Sequence, residues 1–287
     1  MLGKFIAVLS TVILVTCSAN HVLAAEISCI ENWTKGSIAL PILPTLFPSG
    51  RKPTLSTCKE MLLEGPIETG DAQKFSTFLK AHHPFVQELY LSSPGGSVAD
   101  AIAIGKLTRA ALIETHAPNQ NMLDRRHFDG RPGSGMLHTG IWISINENYG
   151  YRVLCQGPSC HCASACFLIW AAGWRRWGFV LGIHRPTAGM NGFGNLPPDQ
   201  ASVAYTGIIR AMRDYLSEME IPNRYIERMT STSSEDMSWL DYDDTDQLKY
   251  APSIQEWVKV KCGASKFNMF GRCEQLAIYN ARDSKNF

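Results

Sequence analysis

The sequence lacks any surplus of charge of one sign: 27 lysine and arginine residues face 26 aspartate and glutamate residues, for a formal net charge of +1. That balance excludes a polybasic nucleic-acid binder and an acidic disordered tail as the organising theme. Internal repeats and low-complexity tracts are also missing, as is any apolar run of the roughly 20 residues that a membrane-crossing helix needs. Yet hydrophobic residues make up 45% of the 287, which excludes whole-chain disorder and fits one large domain or two small ones. The nine cysteines are too few for a disulfide mini-scaffold and many for a reduced cytosolic protein.

What is present first indicates a compartment. Lys4 is the only formal charge before Glu26, Phe5 to Cys17 is a continuous apolar or hydroxylated run, and Val22-Leu23-Ala24-Ala25 offers small residues to a signal peptidase. This is the order of a secretory signal peptide over residues 1–25, cleaved after Ala24 or Ala25. Thr16 before Cys17 is too bulky for the usual lipoprotein site. An exported protein, periplasmic or secreted, is therefore expected. Loss of Lys4 and Cys17 with the signal leaves a formally neutral chain with an even number of cysteines, which favours paired thiols.

Residues 26–57 read as an irregular extension, because Pro41, Pro44 and Pro48 deny backbone donors to helix and inner strand alike. Residues 58–257 read as a single main domain. A strand at Met61 to Glu64 ends at Gly65-Pro66, a helix runs from Asp71 to Lys80, and a second strand spans Glu88 to Ser92. The turn Ser93-Pro94-Gly95-Gly96 then leads into a helix from Val98 to Leu112. This alternation is that of an α/β layer with parallel strands. Residues 116–152, rich in Asn, Gly, Arg and His, read as an insertion with one strand at Ile141 to Ile145. A short apolar helix follows at Ser164 to Ala172, a strand at Phe179 to Ile183, and helices at Asp199 to Glu218 and Asn223 to Met229. Residues 258–287 are expected to form a C-terminal tail holding Cys262 and Cys273.

Three local features bear on chemistry. The adjacent Gly95 and Gly96, between a strand and a helix, let backbone N–H groups face a ligand as an oxyanion hole or anion cradle, or simply make a tight turn. Ser164, at the head of an apolar helix, fits an acyl-transfer nucleophile and equally an N-cap. His184, at the end of an apolar strand, fits a general base held on a rigid element, or a strand-end histidine satisfied by water.

The order of these features carries a resemblance. Leu63-Glu64-Gly65-Pro66-Ile67, Leu89-Tyr90-Leu91-Ser92-Ser93-Pro94-Gly95-Gly96-Ser97-Val98, Ala163-Ser164-Ala165, Trp170-Ala171-Ala172-Gly173, Ile183-His184-Arg185-Pro186 and Gln200-Ala201 follow one another as in a known family. Over roughly residues 58–257 the chain resembles the proteolytic subunit of the Clp protease family, in particular its exported bacterial relatives. The resemblance implies an α/β fold of stacked β-β-α units, crotonase-like (ClpP-like). It further implies Ser164 as nucleophile, His184 as general base, and an oxyanion held by N–H groups of Ala165 and the Gly95-Gly96 turn. Where the family has its third catalytic member, an aspartate, this chain has Met229 within Ile226-Glu227-Arg228-Met229-Thr230. Asp236 and Glu227 are the nearest carboxylates to substitute. The alternatives are a Ser–His pair, or an inactive peptide-binding or scaffold protein.

The expected substrate is a peptide or unfolded protein, with no nucleic acid, metal or cofactor. The family's ATP-driven partner is not carried over to a compartment without ATP. Its ring assembly makes a homo-oligomer conceivable here, but no interface is legible. Cys155, Cys160, His161, Cys162 and Cys166 lack the Cys-x-x-Cys pairs of a zinc site, and export favours disulfides. The expected pattern is two outer bridges, Cys29–Cys58 and Cys262–Cys273, with local pairing among Cys155, Cys160, Cys162 and Cys166 around the Ser164 helix.

Overall fold

The computed structural model describes residues 24–30, 58–120, 140–146, 150–157, 160–187, 196–263 and 272–283. Most of the expected signal peptide and of the 26–57 extension lies outside the described residues. Among them, no helix is long and apolar enough to cross a membrane.

The chain is a mixed α/β structure. The edge strand β1 (Glu26–Cys29) runs antiparallel to β2 (Glu60–Glu64), and α1 (Asp71–His82) carries the chain over to β3 (Glu88–Ser92), parallel to β2. The helix α2 (Val98–Ala110) returns it to β4 (Glu114–His116), parallel to β3. Alternation explains these strands: Met61, Leu63, Leu89 and Leu91 point into the core, while Glu60, Leu62, Glu88 and Tyr90 lie half-buried on the opposite face. Next come β5 (Asn119–Gln120), β6 (Gly140–Asn146) and β7 (Gly150–Gly157), an antiparallel sheet of their own. Then follow β8 (Cys162–Ala163), α3 (Ala165–Ala171), β9 (Arg176–Trp177) and β10 (Leu181–Ile183). The first sheet has the order β1-β2-β3-β4-β9.

Every residue of α3 is buried, so this helix is the centre of the core. Its last carbonyls are satisfied by side chains from elsewhere, as a buried helix end requires. Thr115 Oγ1 donates to the Trp170 carbonyl (2.7 Å), Arg109 Nε to that of Ala172 (2.7 Å), and Tyr215 Oη to that of Leu168 (2.8 Å). Gly105 on α2 makes this crossing close, since any Cβ there would overlap the Tyr215 hydroxyl.

The long helix α4 (Pro198–Glu218) and α5 (Asn223–Ser231) follow, then β11 (Ser238–Trp239), antiparallel to β10, and α6 (Tyr242–Gln247). The expected C-terminal tail is instead a packed unit. In it, α7 (Pro252–Cys262) and α8 (Arg272–Asp283) are joined by Cys262–Cys273. Val258 and Ile278 share a second core with Leu112 and Trp174, and Arg282 donates to the carbonyls of Ala111 (2.9 Å) and Leu112 (2.8 Å).

Other expectations shift as well. The insertion holds three strands rather than one and reaches Gly157, while His116 ends β4 of the main sheet. Within the extension expected to be irregular, Glu26–Cys29 is a strand, tied to the domain by the Cys29–Cys58 disulfide.

Candidate active site

Three parallel strand ends lie side by side. On one edge of β8, Cys162 pairs with Leu181 and Ala163 with Gly182 of β10. On its other edge the chain just past β3 takes over. There the Ser93 N–H donates to the His161 carbonyl (2.8 Å), and the Ser93 carbonyl accepts from the Ala163 N–H (3.0 Å). Gly95-Gly96, Ser164 and His184 therefore leave the carboxyl ends of three neighbouring strands, each about 5 Å from the next.

Ser164 has the backbone conformation φ 56°, ψ −122°, in a region that costs a non-glycine residue about 1–3 kcal/mol. It precedes α3 yet makes no capping hydrogen bond with its side chain, so the N-cap role open from the sequence is not the one it plays. Its N–H donates to the Gly182 carbonyl (2.9 Å) and its carbonyl accepts from the Phe167 N–H (3.0 Å). Within the segment from Cys160 to Trp174, only Ser164 and His161 escape full burial, Gly173 included. Ser164 is thus half-buried between fully buried neighbours, on a backbone fixed at both ends.

The glycine turn presses against this elbow. Gly95 has φ +101°, and a Cβ there would stand 2.7 Å from Ser164 Cβ, 2.8 Å from the Ala163 carbonyl oxygen and 2.9 Å from Ala165 N. Ile67 clamps the far side of the turn: its N–H donates to the Gly95 carbonyl (2.8 Å) and its carbonyl accepts from Ser97 N–H (2.7 Å). In a trans peptide the N–H points opposite to the carbonyl. The Gly96 N–H is therefore directed away from Ile67, to the side on which β8 and Ser164 lie. Gly95 differs from the expectation drawn for it, because its own N–H donates to Ser93 Oγ (3.1 Å). The donors that face the elbow are Gly96 and Ala165, the latter at the first position of α3, where N–H groups have no helical partner.

His184 is 9% exposed, and its Nδ1 has no hydrogen-bond partner among the described residues. Burial holds its imidazole below the ordinary value, an effect partly opposed by the Arg185 backbone. The ring is accordingly neutral near pH 7, the state a general base requires. The next residue is anchored by the Arg185 N–H to the Thr232 carbonyl (3.1 Å), just past α5.

Neither substitute carboxylate is engaged with His184. Glu227 lies on the exposed face of α5 and accepts from Asn223 Nδ2 (2.6 Å), while Asp236 is exposed on the turn before β11. Met229 packs in the main core. Both outer bridges are present, Cys29–Cys58 and Cys262–Cys273, and the local pair is Cys162–Cys166. Cys160 is also disulfide-bonded, and the side chain of Cys155 lies outside the described residues. With Cys162 and Cys166 bonded to each other, their sulfurs are not thiolate ligands.

Ser93 and Ile67, which the sequence motifs contain without an assigned role, orient the glycine turn. Ser93 acts locally, through the Gly95 N–H two residues on, whereas Ile67 reaches the turn from another part of the chain. Compared with known proteins, the chain matches no family model and no curated protein.

Proposed function

We propose that the protein is an exported serine hydrolase of crotonase-like fold, a peptidase acting on peptides or unfolded chains through a Ser164–His184 pair. The observation that carries this reading is Ser164: an uncapping, half-buried serine in a disfavoured backbone conformation, at the end of the strand that pairs with the one leading to the buried His184. In this reading His184 takes the proton as Ser164 Oγ attacks the carbonyl carbon. The Gly96 and Ala165 N–H groups receive the developing oxyanion, and His184 then returns the proton to the leaving amine. Water, activated by the same imidazole, hydrolyses the acyl-enzyme. One removed oxyanion donor typically costs about 10²–10³-fold in turnover, so the turn is a substantial part of the catalyst.

The unpartnered Nδ1 predicts slow chemistry. Replacing the orienting aspartate of a trypsin-like protease lowers turnover about 10⁴-fold. The same observation, with Met229 in the core, favours the second reading: a peptide-binding or scaffold protein that keeps the fold without turnover.

A fluorophosphonate probe separates the two. The hydrolase reading expects labelling of the wild type that is lost in Ser164→Ala and strongly slowed in His184→Ala. Equal labelling of wild type and Ser164→Ala ends it. The scaffold reading expects peptide binding that is indifferent to His184→Ala.

A further inference from the structure

We infer that the Cys162–Cys166 disulfide is a positioning element for the Ser164 hydroxyl, acting through the backbone rather than on substrate; the inference rests on the reading of Ser164 as nucleophile. The bridge joins the first residue of β8 to the second residue of α3, with Cα atoms 5.3 Å apart. The closed ring holds Cys162, Ala163, Ser164, Ala165 and Cys166, with Ser164 at its centre. Ser164 is the ring member with a disfavoured positive φ.

Hydrogen bonds flank the elbow: Ala163 N–H to Ser93, Ser164 N–H to Gly182, and Phe167 N–H to the Ser164 carbonyl. Each of these can be exchanged for water, whereas the covalent ring cannot. Relaxation of Ser164 to an ordinary helical or extended conformation would change the path from strand to helix, which the bridge opposes. Such a relaxation would displace Oγ and the Ala165 N–H together from the positions that the elbow gives them.

Global stability is a poor explanation for this bridge. A disulfide stabilises chiefly by restricting the unfolded chain, and more so the longer the loop it closes. The outer bridges span 29 and 11 residues, this one 4, so it restrains the unfolded chain least. Both of its cysteines are fully buried, so the ring stays closed while the fold is intact. It is a fixed brace, not a redox switch.

The test compares Cys162→Ala/Cys166→Ala with Cys262→Ala/Cys273→Ala, a pair remote from the elbow. Fluorophosphonate kinetics separate kinact from KI, and hydrogen exchange follows the Ser164 amide, both at a temperature where melting curves show each variant folded. The brace predicts a roughly tenfold to hundredfold fall in kinact at unchanged KI, the scale of a misplaced reacting group. It also predicts faster exchange at the Ser164 amide. The Cys262/Cys273 variant should melt earlier with kinact unchanged. Should the alanine pair not fold, Cys162→Ser/Cys166→Ser serves, being closer to cysteine in volume. A braceless variant that labels and exchanges like wild type overturns the brace alone. A wild type that takes no label at Ser164 overturns the hydrolase reading, and the catalytic purpose of the brace with it.

Discussion

Gly95→Ala is the sharpest perturbation of the contact between the glycine turn and the serine elbow. The added methyl meets Ser164 Cβ at 2.7 Å, the Ala163 carbonyl oxygen at 2.8 Å and Ala165 N at 2.9 Å, all closer than Cβ atoms ordinarily approach. None of these atoms is the end of a flexible side chain, so the turn or the elbow must move. The positive φ of Gly95 adds about 1–2 kcal/mol for an L-residue, and forced overpacking typically adds about 1–3 kcal/mol. The expected destabilisation is thus about 2–5 kcal/mol, measured by urea denaturation. Gly70→Ala is the internal control. It has φ +100°, almost that of Gly95, but nothing within 4 Å of the added methyl. It should show the conformational cost alone, about 1–2 kcal/mol. The excess of Gly95→Ala over Gly70→Ala then measures the steric contact, and labelling of Ser164 by the probe should fall in the first variant only. Equal stability losses in the two variants, with undiminished labelling, would refute the close approach on which the site is built.

Burial holds the His184 imidazole below its ordinary 6.5, so probe labelling should fall on acidification with a midpoint below pH 6.5; a midpoint above it contradicts the buried neutral base. The unfolded chain binds that proton more readily than the folded one, so stability should decline as pH drops below about 6.5, and His184→Ala should remove that part of the decline. Losing the Cys29–Cys58 bridge, which closes 29 residues, should cost about 3–4 kcal/mol of stability in a melt of Cys29→Ala/Cys58→Ala at unchanged labelling. Arg228 donates to Ser238 Oγ (2.6 Å), Asp244 Oδ2 (2.7 Å) and the Trp239 carbonyl (2.7 Å), tying α5 to the strand beside β10. Arg228→Ala should cost about 1–3 kcal/mol in urea denaturation, with Lys a poor replacement for a three-way fork. Gly207→Ala, in the exposed part of α4 with nothing within 4 Å, should instead stabilise by about 0.5–1 kcal/mol.

Much of this was legible where the signal is local. A short apolar run stopped by Gly65-Pro66 marked β2, the segment closed by Ser93-Pro94-Gly95-Gly96 marked β3, the apolar positions from Val98 to Leu112 marked α2, and α4 begins at Pro198, one residue before the expected Asp199. An even cysteine count after the expected cleavage favoured paired thiols without giving connectivity, and the outer bridges expected from the positions of the cysteines, Cys29–Cys58 and Cys262–Cys273, are present. β9, with two residues, carries too few for any period and was not legible, whereas β10 was expected from Phe179 to Ile183 and occupies only Leu181–Ile183. The packed C-terminal unit was read as a tail because its order depends on Arg282 reaching carbonyls some 170 residues away in the chain.

The residue types of the site were determined by the amino-acid order. A glycine pair after a strand, a serine before an apolar helix and a histidine after a strand are properties of short segments, and short segments encode their own backbone preferences. Which of their atoms remain available for chemistry depended on long-range pairing. Pairing of β8 with β10 on one edge and with Ser93 on the other brought the three segments together. The Gly95 N–H is taken locally by Ser93 Oγ, while the long-range clamp of Ile67 on the Gly95 carbonyl directs the Gly96 N–H away from Ile67. On α5 the helical period places Met229 in the core and Glu227 on the exposed face, and Nδ1 of His184 is unpartnered among the described residues. A hydrogen bond is a property of two strands in register, and register is set by the whole core rather than by either strand alone.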